Sequence, residues 1–107
     1  MASSFPFKLV SPQGKLYEGN VDFLTVPGEY GSIGVLAGHA PMLASLRTGV
    51  MSVVVPESGT SYYAVSAGLL EIADGGAVIL ADNAFAASSE HDAATKTAEW
   101  LNDTTVT

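Results

Sequence analysis

Val50-Met51-Ser52-Val53-Val54-Val55, Tyr62-Tyr63-Ala64-Val65-Ser66-Ala67, Leu69-Leu70-Glu71-Ile72-Ala73 and Ala77-Val78-Ile79-Leu80-Ala81 are short apolar runs rich in β-branched and aromatic residues. Pro56-Glu57-Ser58-Gly59 and Asp74-Gly75-Gly76 interrupt them. Runs of this length, with turn signals every ten residues or so, predict an all-β sandwich or barrel. No connection here is long enough for a crossover helix, so pairing is expected to be mainly antiparallel.

The same rhythm extends towards the N-terminus through residues 7–10, 21–26, 33–36 and 42–46, with Ser11-Pro12-Gln13-Gly14, Pro27-Gly28-Glu29-Tyr30-Gly31, Gly38-His39-Ala40-Pro41 and Arg47-Thr48-Gly49 between. Val53-Val54-Val55 and Val78-Ile79-Leu80 are apolar on both faces, and such strands need cover on both sides. The second sheet, a helix or another protein could supply it. Beyond Asp82 the chain turns small and polar, and Ser89-Glu90-His91-Asp92 then reads as a helix start with a serine cap and an acid three residues later. Ala93, Thr97, Trp100 and Leu101 fall on one helical face, so the helix is expected to dock with Trp100 as its anchor. It should end near Asn102, giving a β domain over 1–87 and a short helix and tail over 88–107.

Composition narrows the function. The chain has 107 residues, 48% of them apolar, and no cysteine, which predicts one domain with one core in a reducing, cytoplasmic-type setting, without disulfide or thiolate chemistry. No run reaches the length of a membrane helix, so no direct membrane insertion is expected. Its net charge of −7 argues against a nucleic-acid partner. The excess lies in the second half, where Lys96 faces eight acids.

Catalytic patterns are missing. His39 and His91 belong to no metal-ligand spacing, the glycines at 28, 31 and 34 match no nucleotide fingerprint, and no nucleophile motif occurs. We therefore expect no catalytic residue, metal or cofactor. A carbohydrate-binding or other ligand-binding sandwich is the alternative, for which Tyr17, Tyr30, Tyr62 and Tyr63 would have to form an exposed platform. The segment Gly38-His39-Ala40-Pro41 reads either as a rigid structural turn, with His39 capping a carbonyl, or as a shaped apolar contact surface.

Three stretches together resemble the epsilon subunit of F-type ATP synthases, called delta in mitochondria. They are Phe7-Lys8-Leu9-Val10-Ser11-Pro12, residues 31–43 around Gly-His-Ala-Pro, and residues 63–72 followed by 77–84. The resemblance implies a mainly β fold, a ten-stranded β-sandwich followed by a single short C-terminal α-helix. It implies a non-catalytic central-stalk subunit of a hetero-oligomeric, proton-translocating complex on the cytoplasmic face of the bacterial membrane. There it couples the gamma subunit to the c-ring for rotary ATP synthesis. It places Ser11, His39, Ala40, Pro41, Met42 and Leu43 against gamma, and Glu29, Tyr30, Gly31 and Ser32 against the polar loops of the c-ring. Family members often carry an acid where Ser32 stands, which leaves Glu29 as the acid of that loop. The resemblance further implies a short form, with one helix where many relatives have two. The family's ATP motif would fall at His91-Asp92-Ala93-Ala94-Thr95-Lys96, which lacks the arginine that would fork onto phosphate. Neither ATP binding nor inhibition by an extended helical hairpin is expected.

Overall fold

A computed structural model describes residues 3–103. In it, β1 (Phe5–Ser11), β2 (Gly14–Val21), β3 (Phe23–Gly28), β4 (Gly31–Val35), β5 (Met42–Leu46), β6 (Gly49–Val55), β7 (Gly59–Ala73) and β8 (Gly76–Ala87) precede one helix, α1 (Glu90–Asp103). The strands follow one another in the order β2-β1-β8-β7-β5-β3-β4, and β6 pairs with both β7 and β3. All pairings are antiparallel, as the short connections require, except β1 with β8. Those two are far apart in the chain and need no crossover helix between them.

Two long strands build both layers. The second part of β7 (Gly68 to Ile72) pairs with β5, and its first part (Gly59 to Val65) pairs with β6, both along the edge that β8 does not occupy. At the join, Ala67 takes a left-handed conformation (φ 47°), and the inward-facing positions change from Tyr63 and Val65 to Leu70 and Ile72. The strand thus passes from one layer to the other by a one-residue shift in alternation. Between the layers lie Phe7, Leu9, Leu24, Met51, Leu70 and Ile79, all essentially inaccessible to solvent. The β7–β8 hairpin closes through Asp74 and Gly75, both at positive φ (53° and 79°), the conformation for which Asp-Gly is favoured in two-residue turns.

Eight strands occur among the described residues where ten were expected. Residues 62–67 and 69–73, separate segments in the sequence reading, are one strand, because Ala67 bends the chain without ending the ladder. Residues 83–87, which follow the last apolar run of the sequence and belong to the expected β domain, continue β8 opposite Tyr62–Ser66. The polar edge strand β2 had no apolar run to announce it. Residues 104–107 of the expected tail lie outside the described residues.

The helix begins as its sequence dictates. Ser89 Oγ accepts a hydrogen bond from Asp92 N–H at 3.0 Å, and Asp92 Oδ2 accepts from Ser88 N–H (2.9 Å) and Ser88 Oγ (3.2 Å). This is a reciprocal cap displaced by one residue from the usual box. The helix packs on β7, β6 and β8. Its anchors are Ala93 and Thr97, both buried, because small side chains let the helix sit close to the sheet. Trp100, the expected anchor, is only half-buried and stands beside Lys96, whose Nζ lies 5.9 Å from its ring and 5.2 Å from the Phe85 ring. Leu101 is 52% exposed, so the apolar face of the helix is narrower than its periodicity suggested.

Candidate functional docking face

The registers of β5, β7, β8 and β1 decide which side chains share a surface, because residues directly opposite one another point the same way. Ala44, Leu70, Ile79 and Leu9 form one such row and face the core. The neighbouring row, Ser45, Leu69, Leu80 and Val10, therefore faces outward, as does the next, Leu43, Glu71, Val78 and Lys8. On this outer face Leu43 is 66% exposed, Leu80 53% and Leu69 36%. The equivalent face of the other layer is covered by α1: Ala64 points away from Tyr63 and Val65 and is nonetheless fully buried. One side of the sandwich is closed by the chain's own helix, and the other presents the apolar row Leu69, Leu80 and Val10, beside which Leu43 and Val78 flank Glu71, with Lys8 and Asp82 at its sides. An apolar centre with a polar margin is the anatomy of a protein interface.

The residues singled out from the sequence fall at different places around this face. Leu43 is on it. Ala40 and Pro41 are exposed in the loop leading into β5, while Met42 is half-buried and packs against the core. The loop is a rigid turn, as one reading of Gly-His-Ala-Pro required. Gly38 takes φ 84°, His39 N–H donates to Leu36 C=O at 3.1 Å, and His39 Nδ1 lies 2.8 Å from Ala40 C=O. Ser11 lies elsewhere. It continues the inward series Phe5, Phe7, Leu9, is only 7% exposed, and its hydroxyl donates to Gln13 Oε1 and accepts from Gln13 N–H. Its side chain braces the β1–β2 turn and is not presented on the outer face.

Glu29 and Tyr30 form the tip of the β3–β4 hairpin, followed by Gly31 (φ 139°) and Ser32. Tyr30 is 97% exposed. The tip is fixed to β5, since Glu29 N–H donates to Ser45 C=O and Arg47 N–H to Pro27 C=O, both at 2.9 Å. A groove of about 400 Å³ separates residues 29–32 from Met42 and Leu43, so the structure sets the two predicted groups side by side.

At the opposite margin Lys15 and Glu18 form an exposed ion pair, and the hydrogen bond from Lys15 holds the Glu18 carboxyl below the usual carboxylate range. Among the described residues no group of three or more His, Cys, Asp or Glu could hold a metal, and no helix is long and apolar enough to cross a membrane. The tyrosines form no platform: Tyr63 is buried, and Tyr17 stacks on Phe7 with ring centroids 5.8 Å apart. The sequence reading did not single out Leu69 and Leu80, which the structure leaves exposed on this face. The signal was the two-sided apolar strand at 78–80, which showed that cover was needed without showing where.

A two-layer sandwich with one face closed by its own helix and the other left apolar has the form of a docking domain. The chain belongs to the family described as ATP synthase, Delta/Epsilon chain, beta-sandwich domain, whose profile matches residues 4–87. It is 47% identical over 81 residues to the ATP synthase epsilon chain of Bradyrhizobium sp. (strain ORS 278), covering 75% of this chain and 58% of that one. To the epsilon chain of Maricaulis maris (strain MCS10) it is 41% identical over 86 residues, covering 80% and 64%. The chain thus spans about three fifths of the length of these curated relatives. A chain of the Euglena gracilis mitochondrial ATP synthase, in a structure of its OSCP, F1 and c-ring, shares the fold with a TM-score of 0.77 at 23% identity, covering 96% of this chain and 64% of that one.

Proposed function

We propose that this protein is a non-catalytic central-stalk subunit of a proton-translocating F-type ATP synthase, fastening the gamma subunit to the c-ring at the membrane face of the complex. The observation that carries the reading is the uncovered apolar face of Leu43, Leu69 and Leu80 in a chain of the delta/epsilon family. Gamma occupies that face, with Ala40 and Pro41 at its margin and Ser11 contributing through the turn it braces. The hairpin tip, residues 29–32, reaches the polar loops of the c-ring, and Glu29 is the acid available there. The protein forms and breaks no bonds; it transmits torque, so its requirement is a stiff body held firmly on one side. Asp92, the surviving acid of the family's ATP motif, is engaged in capping α1, which supports the absence of nucleotide binding.

Calorimetric titration of the protein with the gamma subunit of its own complex tests this. Leu80→Glu and Ala40→Glu should each weaken binding by about 2 kcal/mol, the scale of an interface hot spot, while Ala94→Glu on the exposed side of α1 leaves it unchanged. Absence of binding by folded wild-type protein would overturn the proposal.

A further inference from the structure

The two edges of the sheet are built differently. Along β2, Lys15 and Glu18 carry charge, and the β1–β2 register shifts at Leu9/Val10. Charges and bulges of this kind keep another strand from adding to an edge. Along β4, Gly31-Ser32-Ile33-Gly34-Val35 has no charge and no proline, and it pairs with β3 in unbroken register through five residue pairs. Among the described residues β4 has no other strand neighbour.

Its outward-facing backbone groups follow from the bonds on the far side of β3. Arg47 N–H donates to Pro27 C=O, so Pro27 turns its carbonyl towards β5, and Leu24, Val26 and Gly28 turn their polar groups towards β4 by alternation. Their partners Val35, Ile33 and Gly31 are thereby satisfied, and Ser32 and Gly34 direct N–H and C=O away from the sheet. Both positions carry little or no side chain, and the Phe23 ring lies against Gly34, so a neighbouring backbone can approach closely. Tyr30 and Leu36, 97% and 60% exposed, bracket this edge at its two ends.

We propose that β4 is an acceptor edge, extended in the assembled complex by a strand from the stalk partner. The partner strand, from gamma, hydrogen-bonds to Ser32 and Gly34 and covers Leu36 with an apolar residue, leaving the Glu29 carboxylate at the tip to the c-ring loops. Strand addition of this type draws affinity from main-chain bonds and specificity from alternate side chains. A second copy of the protein is disfavoured as the occupant because each carries a net charge of −7. The partner's identity rests on the stalk reading above; the acceptor edge itself is read from the backbone.

Residue-resolved hydrogen exchange, on the protein alone and bound to its gamma subunit with and without the c-ring, provides the test. Ser32 and Gly34 amides should exchange freely in the isolated protein and slow by roughly a hundredfold in the complex, while the outward amides of β2 do not change. Ser32→Pro, which removes an outward N–H at an edge position that tolerates proline, should lose the Gly34 protection, and Ser32→Ala should keep it. If the protein binds yet Ser32 and Gly34 exchange as fast as when free, the acceptor edge is wrong while the stalk reading stands. No binding at all would overturn both. Protection that appears in the isolated protein and grows with its concentration would mean that a second copy is the occupant, overturning the partner assignment.

Discussion

Gly68 follows the left-handed Ala67 in β7, at the point where the strand passes between layers. A Cβ there would stand 2.5 Å from Leu80 C=O and 3.0 Å from Ala81 Cα, backbone atoms that cannot swing aside as a side-chain tip could. Gly68→Ala should therefore destabilise the fold by about 1–3 kcal/mol, the usual cost of forcing extra volume into a packed site, seen as a lower urea midpoint with an unchanged slope. Tyr63 offers a second check at this scale. Burial pushes its phenol above the ordinary value of 10.0. The unfolded chain then gives up this proton at lower pH than the folded one, so the Tyr63 contribution is present below pH 10.0 and lost as pH rises through the raised folded value. Chemical denaturation across this alkaline range should show a shallower fall in stability for Tyr63→Phe than for the wild type.

Elements here are decided by what they pack against as much as by their own residues. The α1 start was legible, since Ser89 and Asp92 carry the capping chemistry whatever lies nearby. Ser89→Ala should cost about 1 kcal/mol, measured as a lower melting temperature and less helical signal near the transition. Where α1 stops burying its face was not legible, because sequence periodicity treats Trp100 and Leu101 alike, and only the position of β8 and the Lys96 ammonium over Phe85 and Trp100 distinguishes them. The same limit applies to β2 and to residues 83–87. Both are strands through their neighbours' hydrogen bonds, and hydrogen-bond partners distant in the chain leave no local pattern.

As a whole, the molecule has two faces of opposite character: one buried by α1, the other presenting Leu43, Leu69 and Leu80. The asymmetry makes separable predictions. Charge placed on the bare face should cost binding to gamma and spare stability, as proposed for Leu80→Glu. Substitutions under α1 should do the reverse, and Thr97→Arg, at a position 8% exposed, should lower the melting temperature by several degrees. The proposed stalk role needs this division, since a surface that holds a partner cannot also be one on which the domain's own integrity depends.

The sequence by itself determined the strand-rich character of the domain, its mainly antiparallel pairing, the capped start of its helix and, through three quoted stretches, its family. All of these rest on local signals: alternation, turn residues, a cap and the order of motifs. The tertiary structure decided which apolar residues remain outside, because Leu80 differs from Ile79 only in the direction it points from a shared strand. It also turned Ser11 inward, joined two expected segments into β7 across Ala67, set the hairpin tip beside Leu43 and left β4 as a smooth, uncharged edge. Those outcomes depend on register and layer, which are fixed by contacts between residues tens of positions apart.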